Sequence, residues 1–390
     1  MIQRDIRLSP DRLPDIPVFD LKIEQEDLDA VEATLRSGWL TSGPRTAELE
    51  EAFAEHIGVD HVVAVSSCTA ALHLAYLAAG VGPGDEVIVP SFTFAATASA
   101  VVYCGARPVF ADIQGLDNPS IDPADVASRV TERTKAVVAV HFGGYAARVD
   151  ELAELCSELG LALVEDAAHT PSATLDGRKL GTFGLAGAFS LFSNKVLAVG
   201  EGGLLATDDP DVAALARSLR SHGMSSESWA RYTGSSDGYD VVGLGFNYRL
   251  DDARSALCLS RMRRLETEIE RRRELTLRYR QLLRGANGVL LPYTDEEVHT
   301  SSGYVMPVFL EDPDLQPELR ERLLSRHRIQ TSVLYPPIHL FSAYRDRFPT
   351  PPLPKTELAG RTAVMLPMFG HLTFEQQERV VAAVREELAA

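Results

Sequence analysis

Residues 187–209 read GAFSLFSNKVLAVGEGGLLATDD. Two short apolar runs, AGAFSLF (186–192) and GGLLATDD (202–209), are separated only by residues 193–201, and between them stands Lys195. That connection is too short for the crossover that parallel neighbours need, so the second run is predicted to lie antiparallel to its neighbour. Lys195 is flanked by Phe189, Leu191, Phe192, Val196, Leu197 and Val199. An unpaired ammonium is costly in such surroundings, and burial lowers the pKa of a lysine. Taken alone, a lysine just past a strand end is a solvated loop residue; its neighbours make it a candidate reagent.

Upstream, five further runs repeat the pattern: HVVAVSS (61–67), DEVIVPSF (85–92), ARPVFADI (106–113), KAVVAVHF (135–142) and LALVEDAA (161–168). Helical periodicity fills several gaps, as in TAALHLAYLAAG and VDELAELCSELG. Continuous apolar strands alternating with helices predict an α/β fold whose seven-stranded, mostly parallel sheet is covered on both faces and carries one reversed strand. After NYRLDD (247–252) the texture changes to one long amphipathic helix, roughly Ala253 to Leu283, closed by Gly285. A smaller α+β domain then holds SGYVMPVFL (302–310), the helix around PELRERLLSRH, the proline-rich PPIHLF and PPLP segments, and a final helix from Thr373. The expected division is 1–250, an N-terminal arm and large domain, and 251–390, the linking helix and small domain.

Composition sets outer limits. A chain of 390 residues with 45% hydrophobic and 24% charged residues can bury a large core. The net charge of −17 is spread along the chain and argues against nucleic acid as a partner. The first residues, MIQRDIRLSPDRLPDIPVFD, lack the apolar run of a signal peptide, and no stretch reaches membrane-spanning length, so a cytoplasmic location without membrane attachment is expected. Cys68, Cys104, Cys156 and Cys258 are far apart without CxxC spacing, so no metal site or disulfide is expected.

In a parallel sheet, ligands gather where the strands' carboxyl ends open into loops. SSCTAAL (66–72) joins a strand directly to a helix, whose first amides can hold a phosphate. Asp166 and His169 end one strand, Ser190 lies in another, and Lys195 follows it. A phosphate cradle, a carboxylate and a lysine are the parts a pyridoxal phosphate enzyme requires: the lysine forms the Schiff base, and the carboxylate keeps the pyridine nitrogen protonated. Asp166 could equally be an N-cap, and Phe94 alone would be read as core.

The chain resembles the DegT/DnrJ/EryC1/StrS family of fold-type I aminotransferases acting on sugars. The resemblance rests on SGWLTSGP (37–44), VAVSSCTAALHLA (63–75), GPGDEVIVPSFTFAAT (82–97), GARPVFADI (105–113), VEDAAHT (164–170), GTFGLAGAFSLFSNKVLAVGEGG (181–203) and GFNYRLDD (245–252). It implies a pyridoxal 5'-phosphate cofactor with Lys195 as the Schiff-base lysine, Asp166 on the ring nitrogen and His169 near the ring hydroxyl. It further implies Phe94 stacked on the ring, with Ser190, Cys68 and Thr69 on the phosphate. Asn247 would reach the phosphate of the neighbouring subunit, implying a homodimer with shared sites. Cys68 stands where family members commonly have glycine, His169 where many have glutamine, and Asn194-Lys195-Val196 replaces the commoner Thr-Lys-Asn.

The implied reaction moves an amino group from an amino acid, L-glutamate or a similar donor, to a nucleotide-linked ketosugar. The texture of VHFGGYAARVDEL, EDAAHTPSA and the insert SHGMSSESWARYTGSSDGYDVVGLGFNYR favours a dTDP-4-keto-6-deoxyhexose over a 3-ketosugar or a cyclitol. Candidate substrate contacts are Thr41 in SGWLTSGP, Arg220, His222, Trp229, Arg249 and His339. Arg220 and Arg249 suit a carboxylate or a diphosphate, or else an ion pair, and the histidines are as readily structural. A sugar dehydratase of the family would carry histidine at the lysine position, against Lys195. A non-catalytic DNA-binding regulator lacks support in the acidic balance.

Overall fold

The computed structural model describes residues 13–226 and 228–389; the leader-free reading of the first twelve residues lies outside them. All seven apolar runs are strands: β1 His61–Val65, β2 Glu86–Pro90, β3 Arg107–Ala111, β4 Thr134–Val140, β5 Ala162–Asp166, β6 Ala186–Ser190 and β7 Gly203–Thr207. They form one sheet in the order β1-β7-β6-β5-β4-β2-β3. β7 runs antiparallel to both β1 and β6, and every other pairing is parallel. The register aligns Val140 with Asp166 and Asp166 with Ala188, so the carboxyl ends of β4, β5 and β6 open at one level.

The strands are apolar along their whole length because helices cover both faces. α1 (Gln25–Ser37) and α2 (Pro44–Ile57) precede the sheet; α3 (Cys68–Ala78) follows β1 and α4 (Ala95–Tyr103) follows β2. α3 is buried from Ala70 to Tyr76, which is why its sequence is apolar on every side. Its N-cap Ser67 accepts a bond from the Ala70 amide at 3.1 Å.

The single helix expected from Ala253 to Leu283 is instead two, α5 (Asp252–Met262) and α6 (Leu265–Leu283). The break has a packing cause. α5 lies against α1 and α2, where Asp252 accepts from the amides of Gly43 and Thr46 at 2.8 and 3.0 Å and Ser260 donates to Asp27 at 2.8 Å. α6 turns away to meet α7 (Phe374–Ala389). Amphipathic periodicity survives the turn, so the sequence carries no mark of it.

The small domain is an antiparallel sheet of β8 (Val289–Leu290), β9 (Met306–Leu310) and β10 (Ala363–Leu366), covered by helix Leu315–His327 and α7. The architecture is therefore α/β with a large, mostly parallel sheet and a smaller C-terminal α+β domain. One expectation changes: the proline-rich segments return to the large domain, where Ile338, Tyr344 and Leu353 join the core around α3 and α4. Ile338 there donates to Ser91 O at 3.0 Å. Among the described residues no helix is long and apolar enough to cross a membrane.

Candidate active site

A cavity of ≈360 Å³ opens at the carboxyl ends of the strands. The starts of α3 and α4, the ends of β5 and β6, the loop bearing Lys195, and Tyr304 and Tyr335 line it. Cys68, Thr69, Phe94, Asp166, His169, Ser190 and Lys195 all lie on its wall, drawn from five segments of sequence.

Asp166, the last residue of β5, is buried. Its carboxylate accepts from Thr97 Oγ1 at 2.7 Å and from the Ala168 amide at 3.3 Å. Burial pushes its pKa up, and the bonds from Thr97 and Ala168 and the charge of Lys195 oppose the rise. A cation placed against it would hold it ionised. Cys68 Sγ lies 4.0 Å from Asp166 Oδ1, and burial, reinforced by Asp166, keeps its thiol protonated.

Lys195 Nζ donates to Tyr304 Oη at 3.2 Å and sits 4.5 Å from that ring's centroid. The other face of the arrangement is His169, whose ring stacks on Tyr304 at 4.2 Å and whose Nε2 meets Tyr335 Oη at 3.1 Å. Burial, with the nearby charge of Lys195, drives the His169 pKa well below its usual value, so the imidazole is neutral.

The anion end is built from backbone. The first amides of α3 have no intrahelical acceptor and carry the positive end of the helix dipole. Gly203 pairs with Ser190 across the β6–β7 ladder, bringing the start of β7 against this helix start. A side chain at Gly203 would put its Cβ 2.3 Å from Ser67 C and 2.5 Å from Cys68 N, so only glycine permits the approach. Phe94, 62% exposed, stands at the opposite lip. An anion cradle, a buried carboxylate, an exposed aromatic ring and a lysine around one cavity fit pyridoxal phosphate.

The remaining candidates do not line this cavity. Arg220 is buried, donates to Ala64 O at 2.7 Å and pairs with Glu50. His339 is buried between Ser91 Oγ at 2.7 Å and Glu357 at 3.3 Å. Both residues tie elements of the large domain together. Arg249 donates to Ser221 Oγ at 3.2 Å, and Asn247, exposed, is bridged to the same serine. His222 is exposed with φ +64°. Thr41, exposed, occupies the α1–α2 turn; near it Trp229 meets Trp39 edge-on at 4.8 Å, and Tyr232 packs on both rings.

Thr97, Tyr304 and Tyr335 escaped the sequence reading. Thr97 stands in the family-like stretch that supplied Phe94, and nothing local marks its hydroxyl as the partner of Asp166. The tyrosines come from segments more than 100 residues past Lys195, and only tertiary folding brings Tyr304 to the lysine and Tyr335 to His169.

The DegT/DnrJ/EryC1/StrS aminotransferase family matches residues 21–385. The spore coat polysaccharide biosynthesis protein SpsC of Bacillus subtilis is 37% identical over 99% of this chain and 98% of its own. The dTDP-4-dehydro-2,3,6-trideoxy-D-glucose 4-aminotransferase of Saccharopolyspora spinosa is 39% identical over 92% of each. The crystal structure of the aminotransferase TlmJ from Streptoalloteichus hindustanus superposes with a TM-score of 0.89 at 38% identity, covering 96% of this chain and 99% of that one.

Proposed function

The chain belongs to the DegT/DnrJ/EryC1/StrS family of pyridoxal-phosphate-dependent aminotransferases, and from that premise we propose that it transfers the amino group of L-glutamate to a dTDP-linked 4-keto-6-deoxyhexose. The observation that carries the catalytic part is the convergence of Lys195, Asp166 and the start of α3 on one cavity. The 4-keto sugar and its carrier rest on the 39% identity to a relative named for such a substrate.

Pyridoxal phosphate, when bound, supplies the electron sink for cleavage of the donor's Cα–H bond. Lys195 would anchor it, and the same amine, when free, would take the proton lost from the donor's Cα and deliver it to the carbon that gains one, ending unchanged. Asp166 would hold a proton on the ring nitrogen, and neutral His169 keeps the lysine's side of the cavity free of a competing positive charge. The α3 amides of Cys68 and Thr69, with the Ser190 hydroxyl, would hold the phosphate, and Phe94 would cover the ring.

Asn247 lies outside its own chain's cavity, beside exposed Val242 and Leu244, the latter 95% exposed. An apolar exposed stretch of this kind favours a second copy as its partner, with Asn247 completing the phosphate site across a homodimer. In this scheme Thr41, Trp229 and Arg249 would contact a sugar nucleotide reaching in from the neighbour.

The test is to incubate the holoenzyme with L-glutamate and, separately, dTDP-4-keto- and dTDP-3-keto-6-deoxyhexoses, locating nitrogen in the product by NMR. Amination of the 4-keto compound is expected; amination of the 3-keto compound alone overturns the position. Mixing Lys195→Ala with Asn247→Ala should restore activity, and failure despite subunit exchange and two inactive parents removes the shared site.

A further inference from the structure

Buried threonines inside helices of this chain spend their hydroxyl proton locally. Thr34, Thr276 and Thr362 each donate to the carbonyl four residues back, at 2.9, 2.8 and 2.8 Å. Thr97 is fully buried in the first turn of α4, and its proton crosses instead to Asp166 Oδ2 at 2.7 Å.

Asp252 and Asp112 show the structural use of such a bond. They accept the hydroxyls of Thr46 and Thr356, each at 2.7 Å, and also those residues' amides, at 3.0 and 2.7 Å, so each carboxylate caps a helix. The amide of Thr97 turns to Phe94 O at 3.2 Å. Asp166 therefore does not cap α4, and the link between the two is hydroxyl to carboxylate alone.

Thr97 is itself held from two sides. Tyr76 donates to Thr97 O at 3.1 Å, and Thr93 Oγ1, on the cavity wall, lies 3.0 Å from Thr97 Oγ1. Distance leaves the donor between the two threonines open, but an ionised carboxylate only accepts, so the Thr97 proton is committed to Asp166 and Thr93 must supply the other. The chain then runs one way, from Thr93 through Thr97 to Asp166. Such a chain favours the charged carboxylate against the burial that opposes it.

We propose that Thr97, aimed by Thr93, is the positioning residue of the ring-nitrogen carboxylate: its hydroxyl keeps Asp166 ionised and turned toward the cavity. The inference rests on the proposed place of Asp166 at the ring nitrogen.

The test is 15N NMR of the holoenzyme reconstituted with pyridoxal phosphate labelled at the ring nitrogen, whose signal reports the proton there. Thr97→Val should move that signal toward the unprotonated position and slow single-turnover transamination roughly tenfold or more, as for a lost hydrogen bond to a charged group. Thr97→Ser, which keeps the hydroxyl, should restore both. A Thr97→Val protein that melts earlier but keeps the wild-type signal and turnover has lost only a brace, and overturns the inference. Should Thr97→Val fail to fold by circular dichroism, Thr93→Val should move the signal the same way by less, and an unmoved signal overturns the chain. Asp166→Asn separates the two readings. If it moves the signal while Thr97→Val does not, Thr97 alone is overturned; if it too leaves the signal in place, the role of Asp166 falls and this inference with it.

Discussion

Glu165 and Asp166 are adjacent carboxylates at the end of β5, and strand alternation turns them to opposite faces of the sheet. Glu165 is fully enclosed. It accepts from the amides of Gly181, Phe183 and Gly184 at 2.7, 2.5 and 2.8 Å, and from His141 Nε2 at 3.0 Å. His141 Nδ1 takes the Ala147 amide at 3.1 Å, which fixes the proton on Nε2. Asp166 receives one hydroxyl, one amide and a long contact from the Cys68 thiol, and its remaining capacity faces the cavity of Lys195. The same residue type is a fastener on one face and a reagent on the other, and the number of donors supplied makes the difference.

The largest effect should come from the open carboxylate. Asp166→Asn should slow single-turnover transamination by roughly 10²–10³-fold, the scale of removing one preorganised electrostatic group, while the melting temperature changes little. Unimpaired turnover would erase the contrast. Glu165→Gln should do the reverse, because an amide turned toward backbone N–H donors leaves them unmatched. A loss of about 2–4 kcal/mol in denaturant-induced unfolding is expected, with turnover per folded molecule retained. Lost turnover in a stable Glu165→Gln protein would mean that both faces are catalytic.

A smaller effect should follow from Tyr304→Phe, which removes the hydroxyl 3.2 Å from Lys195 but keeps the ring against His169. Turnover should fall by up to roughly tenfold, since one hydrogen bond to the lysine is lost. The smallest effect sharpens the burial argument. The Asp166 pKa in the cofactor-free protein is raised above 3.8, so the folded state binds that proton more tightly than the unfolded one. Its contribution to stability is then full below the unfolded value and is lost as pH rises through the folded one. Cofactor-free Asp166→Asn should therefore gain stability relative to wild type across that rise, and a difference that does not vary with pH would contradict the assigned cause.

The sheet was legible because each strand is an unbroken apolar run and the short link through Lys195 forces the reversed partner. Lys195, Asp166 and Ser190 were legible because strand ends place them together and the family-like spacing joins them to SSCTAAL. Which of Glu165 and Asp166 is open was not, since it depends on the 181–184 turn folding back to supply three amides. Tyr304 carries no local pattern, and it meets the lysine loop only through the packing of α5, α6 and the small domain. For Arg220 and His339 the sequence left both a ligand contact and an internal role open, and burial beside Glu50 and Glu357 gives them internal partners.

The most direct test asks which lysine carries the cofactor. Borohydride reduction of the holoenzyme fixes the pyridoxyl group irreversibly on the lysine that bears it, and proteolysis with mass spectrometry then locates it. The account predicts the label on the peptide containing Lys195 and its absence in Lys195→Ala. Label on another lysine, such as Lys179, which pairs with Glu266 outside the cavity, would contradict it.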